Sequence, residues 1–378
     1  MSQFNYSLTS KLYEPSVCAT LEKSDGIEEQ RGEMGPFDDV EKLLIGYLQI
    51  DSTTGKEKEF ADRVAVDLEH AGWHVQRQPL DNNPDRFNVL ATTRPNASPR
   101  LILNTHFDTV PPFIGPTEKE DSIWGRGTND AKGQMVVMMA AADQLRREDP
   151  SLADQIGLLF VVGEEVDHVG MTKANEFNVS PEYLIVGEPT EMKFASIQKG
   201  AMKVKLKARG VAGHSGYLTS GYSAVHILVN VLKDVLDYKW PESQKTGATT
   251  VNIGKIEGGQ ALNAWAEYAE AGLFFRVTTS IADITQKLEA IVKGRVEVDV
   301  WNFNEPVLLD EPPIKTEMDP VSFNTDLPFW HGLEKLKGRY LFGCGSIKNA
   351  HSKDEHMPRN ELKECPSVLI KLMKELLK

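Results

Sequence analysis

Polar and apolar positions alternate along the chain with two different rhythms. An amphipathic stretch with helical spacing at Glu57 to Ala71 is followed by short apolar runs at His74 to Leu80, Phe87 to Thr92 and Leu101 to Thr105. A second helical stretch from Gly133 to Arg147 leads to the runs Gly157 to Val162 and Tyr183 to Val186. Strands alternating with helices predict an α/β layer whose central strands are parallel and buried on both faces. Residues 1 to about 36 show no clear period and read as an irregular arm.

Beyond residue 195 the rhythm becomes strand, helix, strand, strand, helix, strand. The segments are Ile197 to Arg209, Ser223 to Leu236, Thr249 to Ile256, Trp265 to Val277, Ile284 to Val292 and Val296 to Trp301. That order is the ferredoxin-like βαββαβ unit. It predicts an inserted domain over 195–304, between a first domain over 1–194 and its continuation over 305–378. The continuation carries Phe323 to Leu336, Tyr340 to Phe342 and a last helix near Val368 to Leu377. In the first strand of the insert Lys203, Lys205, Lys207 and Arg209 alternate with apolar residues, which puts all four cations on one face. The simplest reading is a solvated sheet face, with a site for an acidic ligand as the alternative.

Charge and cysteine content narrow the classes of function. The chain has 378 residues, with 42 Lys plus Arg against 55 Asp plus Glu, a formal charge of −13. Such a surface repels phosphate backbones and argues against nucleic acid as a partner. The 3 cysteines, Cys18, Cys344 and Cys365, form no CxxC pair and suit a reducing compartment rather than a disulfide scaffold. The longest apolar runs, such as Met135 to Ala142, fall far short of the ~18 residues that span a bilayer, so no membrane segment is expected. With no apolar signal core at the N-terminus, the expectation is a cytoplasmic protein.

The chemistry collects where apolar runs end. Asn104-Thr-His106-Phe-Asp108 places a His and an Asp on one side of an extended chain, where the Asp can accept one imidazole N–H while the other nitrogen binds a metal. Trp124-Gly-Arg-Gly-Thr-Asn-Asp130 precedes a helix, and Asp130 is a metal ligand or a helix cap. The pair Glu164-Glu165 follows Leu158 to Gly163, and Glu188 follows Leu184 to Gly187. His351 follows the run at 340–342. Carboxyl ends of buried parallel strands are where open α/β sheets build sites, and a mixed His and carboxylate set suits zinc, cobalt or manganese.

Taken in order, NTHFDTVPP, GRGTNDAKGQ, GEEVDHVGM, VGEPT, GVAGHSGY and NAHSKDEH resemble the motifs of the M20 family of dinuclear zinc hydrolases, from about residue 38 onward. Within it, GEPT and the Gly345-Ser-Ile to Glu355 segment are most similar to the acetylornithine deacetylase and succinyl-diaminopimelate desuccinylase branch. Cys344 stands where that branch commonly has proline.

The resemblance implies a metallopeptidase-type α/β catalytic domain with a smaller lid that commonly dimerises. It implies two zinc ions, with cobalt as a possible substitute: His106, Asp130 and Glu188 on one, Asp130, Glu165 and His351 on the other. Asp108 would orient His106, and Glu164 would be the general base. His214 would reach into the site of a partner in a homodimer, while Asn263 and Arg276 would bind substrate. The implied reaction is hydrolysis of an N-acyl amino acid, with N-acetylornithine the first candidate. Desuccinylase, aminoacylase and dipeptidase activities are the alternatives on the same site. A silent metal or amino-acid binding protein is the alternative from another class, and the spare acid in the Glu164-Glu165 pair argues against it.

Overall fold

The computed structural model describes residues 35–244 and 246–378. The expected irregular arm lies almost wholly outside the described residues, as does Cys18.

A six-stranded sheet forms the larger layer. Its order is His74–Leu80, Asn83–Thr92, Ile156–Val161, Leu101–His106, Tyr183–Val186 and Gly338–Leu341. The last four run parallel, and the first two complete one edge antiparallel. Every residue of Leu101–His106 and Ile156–Val161 is buried, as a sheet covered on both faces requires. One cover is the helix Lys132–Glu148, whose run Met135 to Ala142 is buried all round and which packs on the C-terminal helix Arg359–Leu376.

The C-terminal helix begins at Arg359, well before the predicted Val368, and continues through Pro366. An internal proline removes one ladder bond, and burial of Leu362, Cys365, Leu369 and Met373 along one face offsets that loss. Phe323 to Leu336 holds two short 3₁₀ turns, Leu327–Phe329 and Leu333–Lys335. A helix over Val40–Leu48, capped by the Asp39 carboxylate on the Lys42 N–H at 3.0 Å, was not singled out by the sequence pattern.

The second layer is a four-stranded antiparallel sheet in the order Thr250–Gly258, Tyr268–Val277, Gly200–Arg209 and Glu297–Asn304. Helices Ala224–Asp237 and Ile281–Val292 cover one face around a core of its own that includes Val204, Leu228, Phe275 and Leu288. This is the ferredoxin-like unit, the expected lid. The stretch predicted as one strand from Ile197 is broken at Lys199. Phe194–Gln198 joins a separate three-stranded sheet with Val307–Leu308 and Met318–Val321. No described helix is long and apolar enough to cross a membrane.

Candidate metal centre

The five expected metal ligands converge at the carboxyl ends of the parallel strands. His106 is the last residue of its strand, Glu165 follows Val161 by one turn of loop, Glu188 follows Val186, and His351 lies in the loop after Leu341. The loop to the two glutamates bends at Gly163, whose φ of 79° suits glycine.

Asp130 sits at the centre. Its Oδ1 lies 3.0 Å from His106 Nε2, and its Oδ2 lies 3.0 Å from His351 Nε2. Glu188 Oε1 is 3.5 Å from His106 Nε2, and Glu165 Oε2 is 3.1 Å from His351 Nε2. Two triads sharing Asp130 therefore present converging ligand atoms: His106, Asp130 and Glu188, and Asp130, Glu165 and His351. A carboxylate with one oxygen per triad is the geometry of a bridging ligand.

The electrostatics also call for cations. Burial, with the nearby charge of Asp130, pushes Glu188 up to about 8 and Glu165 up to about 7. Glu165 Oε1 is buried without a hydrogen-bond partner. Burial disfavours a charged His106, but the carboxylates of Asp108, Asp130 and Glu188 outweigh it and hold its pKa well above the usual imidazole value. Hydrogen bonds to Asp130 and Glu165 push His351 up to about 10. Four acids, Asp130, Glu164, Glu165 and Glu188, crowd against two imidazoles, an arrangement that divalent cations would neutralise.

Asp108 does not orient His106 through its carboxylate. The His106 Nδ1 is 2.9 Å from the Asp108 backbone carbonyl, whereas the nearest carboxylate oxygen is 3.6 Å away, too far for a hydrogen bond. The carboxylate instead accepts the backbone N–H groups of Gly163 at 2.9 Å, Glu164 at 3.0 Å and Glu165 at 3.3 Å, and the Thr54 hydroxyl at 2.9 Å. Asp108 thus holds the loop that carries the glutamate pair.

Glu164 faces the same cavity as Asp130, Glu165, Glu188, His351 and, from the lid, Arg276. Burial raises the Glu164 carboxyl well above its ordinary value, and the charges of Glu188, Asp326 and Glu165 add to the effect. The Arg276 guanidinium is pulled down by burial and lies over the Phe274 ring at 4.6 Å. His214 and Asn263 stand elsewhere. Both are exposed, neighbours across the His214–Ala264 bridge at a corner of the lid, and neither lines this cavity. Gly216 N–H donates to His214 Nδ1 at 3.1 Å, which leaves Nε2 to carry the proton.

Three residues at the site escaped sequence reading. His168, within GEEVDHVGM, lines the cavity with its Nδ1 3.0 Å from Asp326 and 3.8 Å from Glu164. Its place four residues after Glu164 was the available signal, whereas nothing local marked Asp326. Glu355, quoted in NAHSKDEH without a role, accepts the N–H groups of Gly127 at 3.0 Å, Asn129 at 3.1 Å and Asp130 at 3.3 Å, and so cradles the loop that presents Asp130. Cys344 is buried, with its thiol facing Gln134 rather than the triads.

The family comparison agrees with this architecture. Residues 102–375 match the model of peptidase family M20/M25/M40. A Peptidase M20 domain-containing protein of Schizosaccharomyces pombe is 36% identical over 330 residues, covering 86% of this chain and 82% of that protein. A protein of Aspergillus terreus named "Probable carboxypeptidase" is 34% identical over 368 residues, covering 87% and 84%. The fold is shared with a tripeptidase from Staphylococcus aureus at a TM-score of 0.74 and 20% identity, covering 90% and 98%. The chain belongs to the M20 peptidase family.

Proposed function

We propose that the protein is a dinuclear metal-dependent hydrolase that cleaves the amide bond preceding an amino acid with a free α-carboxylate. Peptides with an open C-terminus and N-acyl amino acids both carry that bond. The observation that carries the reading is the shared cavity: two triads joined through Asp130, an acid beside them that is not part of either, and Arg276 on the facing wall. Similarity to a protein named as a carboxypeptidase supports the same substrate class.

In this reading His106 and Glu188 would hold one ion, Glu165 and His351 the other, and Asp130 would serve both. Bound divalent cations, zinc with cobalt able to substitute, supply a water acidified toward neutral pH and polarisation of the scissile carbonyl. Glu164 takes the water's proton as the carbonyl is attacked and returns it to the leaving amine. Burial, which holds the Glu164 carboxyl above its ordinary value, favours its taking up that proton. Arg276 grips the α-carboxylate through charge-assisted hydrogen bonds and so orients the bond to be cut. His214, delivered from a second copy of the chain in a homodimer, donates Nε2–H to the developing oxyanion.

N-acetylornithine, the first candidate from the motifs, is one member of this class. Metal-stripped protein restored with zinc or cobalt is assayed on N-acetylornithine, other N-acyl amino acids and N-blocked dipeptides. Metal-dependent release of the C-terminal amino acid is the expected result. Failure on every substrate with either metal would refute the reading and favour a silent binding protein.

A further inference from the structure

The four alternating cations of the strand Gly200–Arg209 do not share one fate. Lys205 pairs with Glu270 at 3.3 Å, Lys207 with Asp299 at 2.9 Å and Glu297 at 3.2 Å, and Arg209 lies over the Tyr268 ring at 4.7 Å. At that end of the lid sheet every cation is matched by an acid or an aromatic face. Lys203 differs from its two lysine neighbours in having no acid beside it: it lies over the Trp301 ring, is half-buried and lines the cavity of the metal centre.

Acids are missing from its surroundings for a structural reason. Lys203 stands directly opposite Phe274 on one neighbouring strand and Asn302 on the other. The next pair on the same face is Arg276 with Ala201, followed by Asn304. Among the described residues neither Lys203 nor Arg276 forms an ion pair, and the only aromatic face near the Lys203 ammonium is Trp301 at 5.3 Å. The acids across the cavity are those of the triads, Glu164 and Asp167. The lid wall therefore offers two cations with no ion-pair partner, placed diagonally on adjacent strands within reach of one small ligand. Partly desolvated cations kept without an acid await one.

We infer that Lys203 binds a second carboxylate on the substrate, so that the cavity takes N-acyl amino acids or peptides whose C-terminal residue is aspartate or glutamate. The inference rests on the reading of Arg276 as the α-carboxylate site, since one guanidinium cannot serve both ends of a dicarboxylate. Asn302 adds a neutral amide to the same wall. The cation of an ornithine or lysine side chain would meet the Lys203 ammonium as a like charge, which places N-acetylornithine among the poor substrates.

The test compares matched acid and amide side chains in zinc-loaded protein. The kcat/KM ratio of N-acetylglutamate to N-acetylglutamine is measured for wild type, Lys203→Met and Lys205→Met, and the affinity of each compound is measured by calorimetry. Wild type should favour glutamate by about 10-fold or more, a typical worth for a charge-assisted contact. Lys203→Met should bring the ratio toward one, Lys205→Met should leave it unchanged, and Lys203→Glu should shift preference toward N-acetylornithine. A wild-type ratio near or below one would overturn the inference, as would Lys203→Met lowering both substrates equally. If nothing is hydrolysed, a Lys203-dependent preference for N-acetylglutamate in calorimetry would sustain the inference while the hydrolase reading falls. Equal affinities would overturn it.

Discussion

The carboxylate of Asp108 accepts the backbone N–H of Glu164 at 3.0 Å. The residue thereby fixes where Glu164, the proposed general base, stands. Its further bonds to Gly163 and Glu165 make it the anchor of the whole loop, while the His106 ring leans on the Asp108 backbone carbonyl, which any residue there supplies.

Replacing Asp108 with alanine should therefore damage chemistry more than metal binding. Displacement of a catalytic group by about 1 Å costs on the order of 100-fold in rate, so kcat should fall by about that factor. Metal content by mass spectrometry should stay near that of wild type. Loss of the metals in proportion to activity would instead assign Asp108 to holding the ligands.

The acid cluster predicts how the metal-free protein responds to pH. Burial lifts Glu165 to about 7 and Glu188 to about 8 from an ordinary 4.5. Between those limits the folded chain holds protons that the unfolded chain has released, so stability is lost as pH rises. His351, raised to about 10 by its bonds to Asp130 and Glu165, acts in the same direction above its ordinary 6.5. Cations replace these protons, so the stabilisation by zinc should grow with pH. Thermal melts between about pH 5 and about pH 9 should show a falling Tm contribution without metal, read as the difference from Glu165→Gln/Glu188→Gln. A difference that is flat or rises with pH would contradict the protonation scheme.

The lid corner predicts an assembly. His214 and Asn263 are exposed outside their own cavity, and Tyr217, Leu218 and Leu262 beside them are 67%, 86% and 107% exposed. Large apolar side chains grouped this way ask for cover. In a homodimer with His214 acting across the interface, inactive Glu164→Ala and inactive His214→Ala subunits should complement. Random pairing makes half of the dimers mixed, each with one intact site of two, so about a quarter of wild-type activity should return after exchange. A histidine working within its own subunit would give no recovery.

Much of this architecture was legible because periodicity and burial coincide. His74–Leu80 and Tyr183–Val186 have the bounds their apolar runs predict, and all five expected ligands meet at strand ends. The helix at Val40–Leu48 escaped because it is short, and the C-terminal helix was read short because Pro366 interrupts it. What periodicity cannot carry is the partner of a side chain. The alternation of Lys203, Lys205, Lys207 and Arg209 gave their common face correctly, but whether each cation meets an acid depends on strands far away in sequence. Asp108 was close to His106 in sequence and was assigned to it, whereas the folded loop brings it to Glu164. Asp326 reaches His168 from 158 residues away, with no local signal to announce it.

Hydrolysis in this cavity of the amide bond next to a free α-carboxylate can be checked with one pair of substrates. Zinc-loaded protein is given an N-blocked dipeptide and the same compound with its C-terminus amidated, and kcat/KM is determined for each with wild type and Arg276→Ala. Wild type should favour the free acid on the order of 10- to 100-fold, the worth of a charge-assisted pair, and Arg276→Ala should remove most of that preference. Equal cleavage of acid and amide by wild type, or an unchanged preference in Arg276→Ala, would contradict that reading.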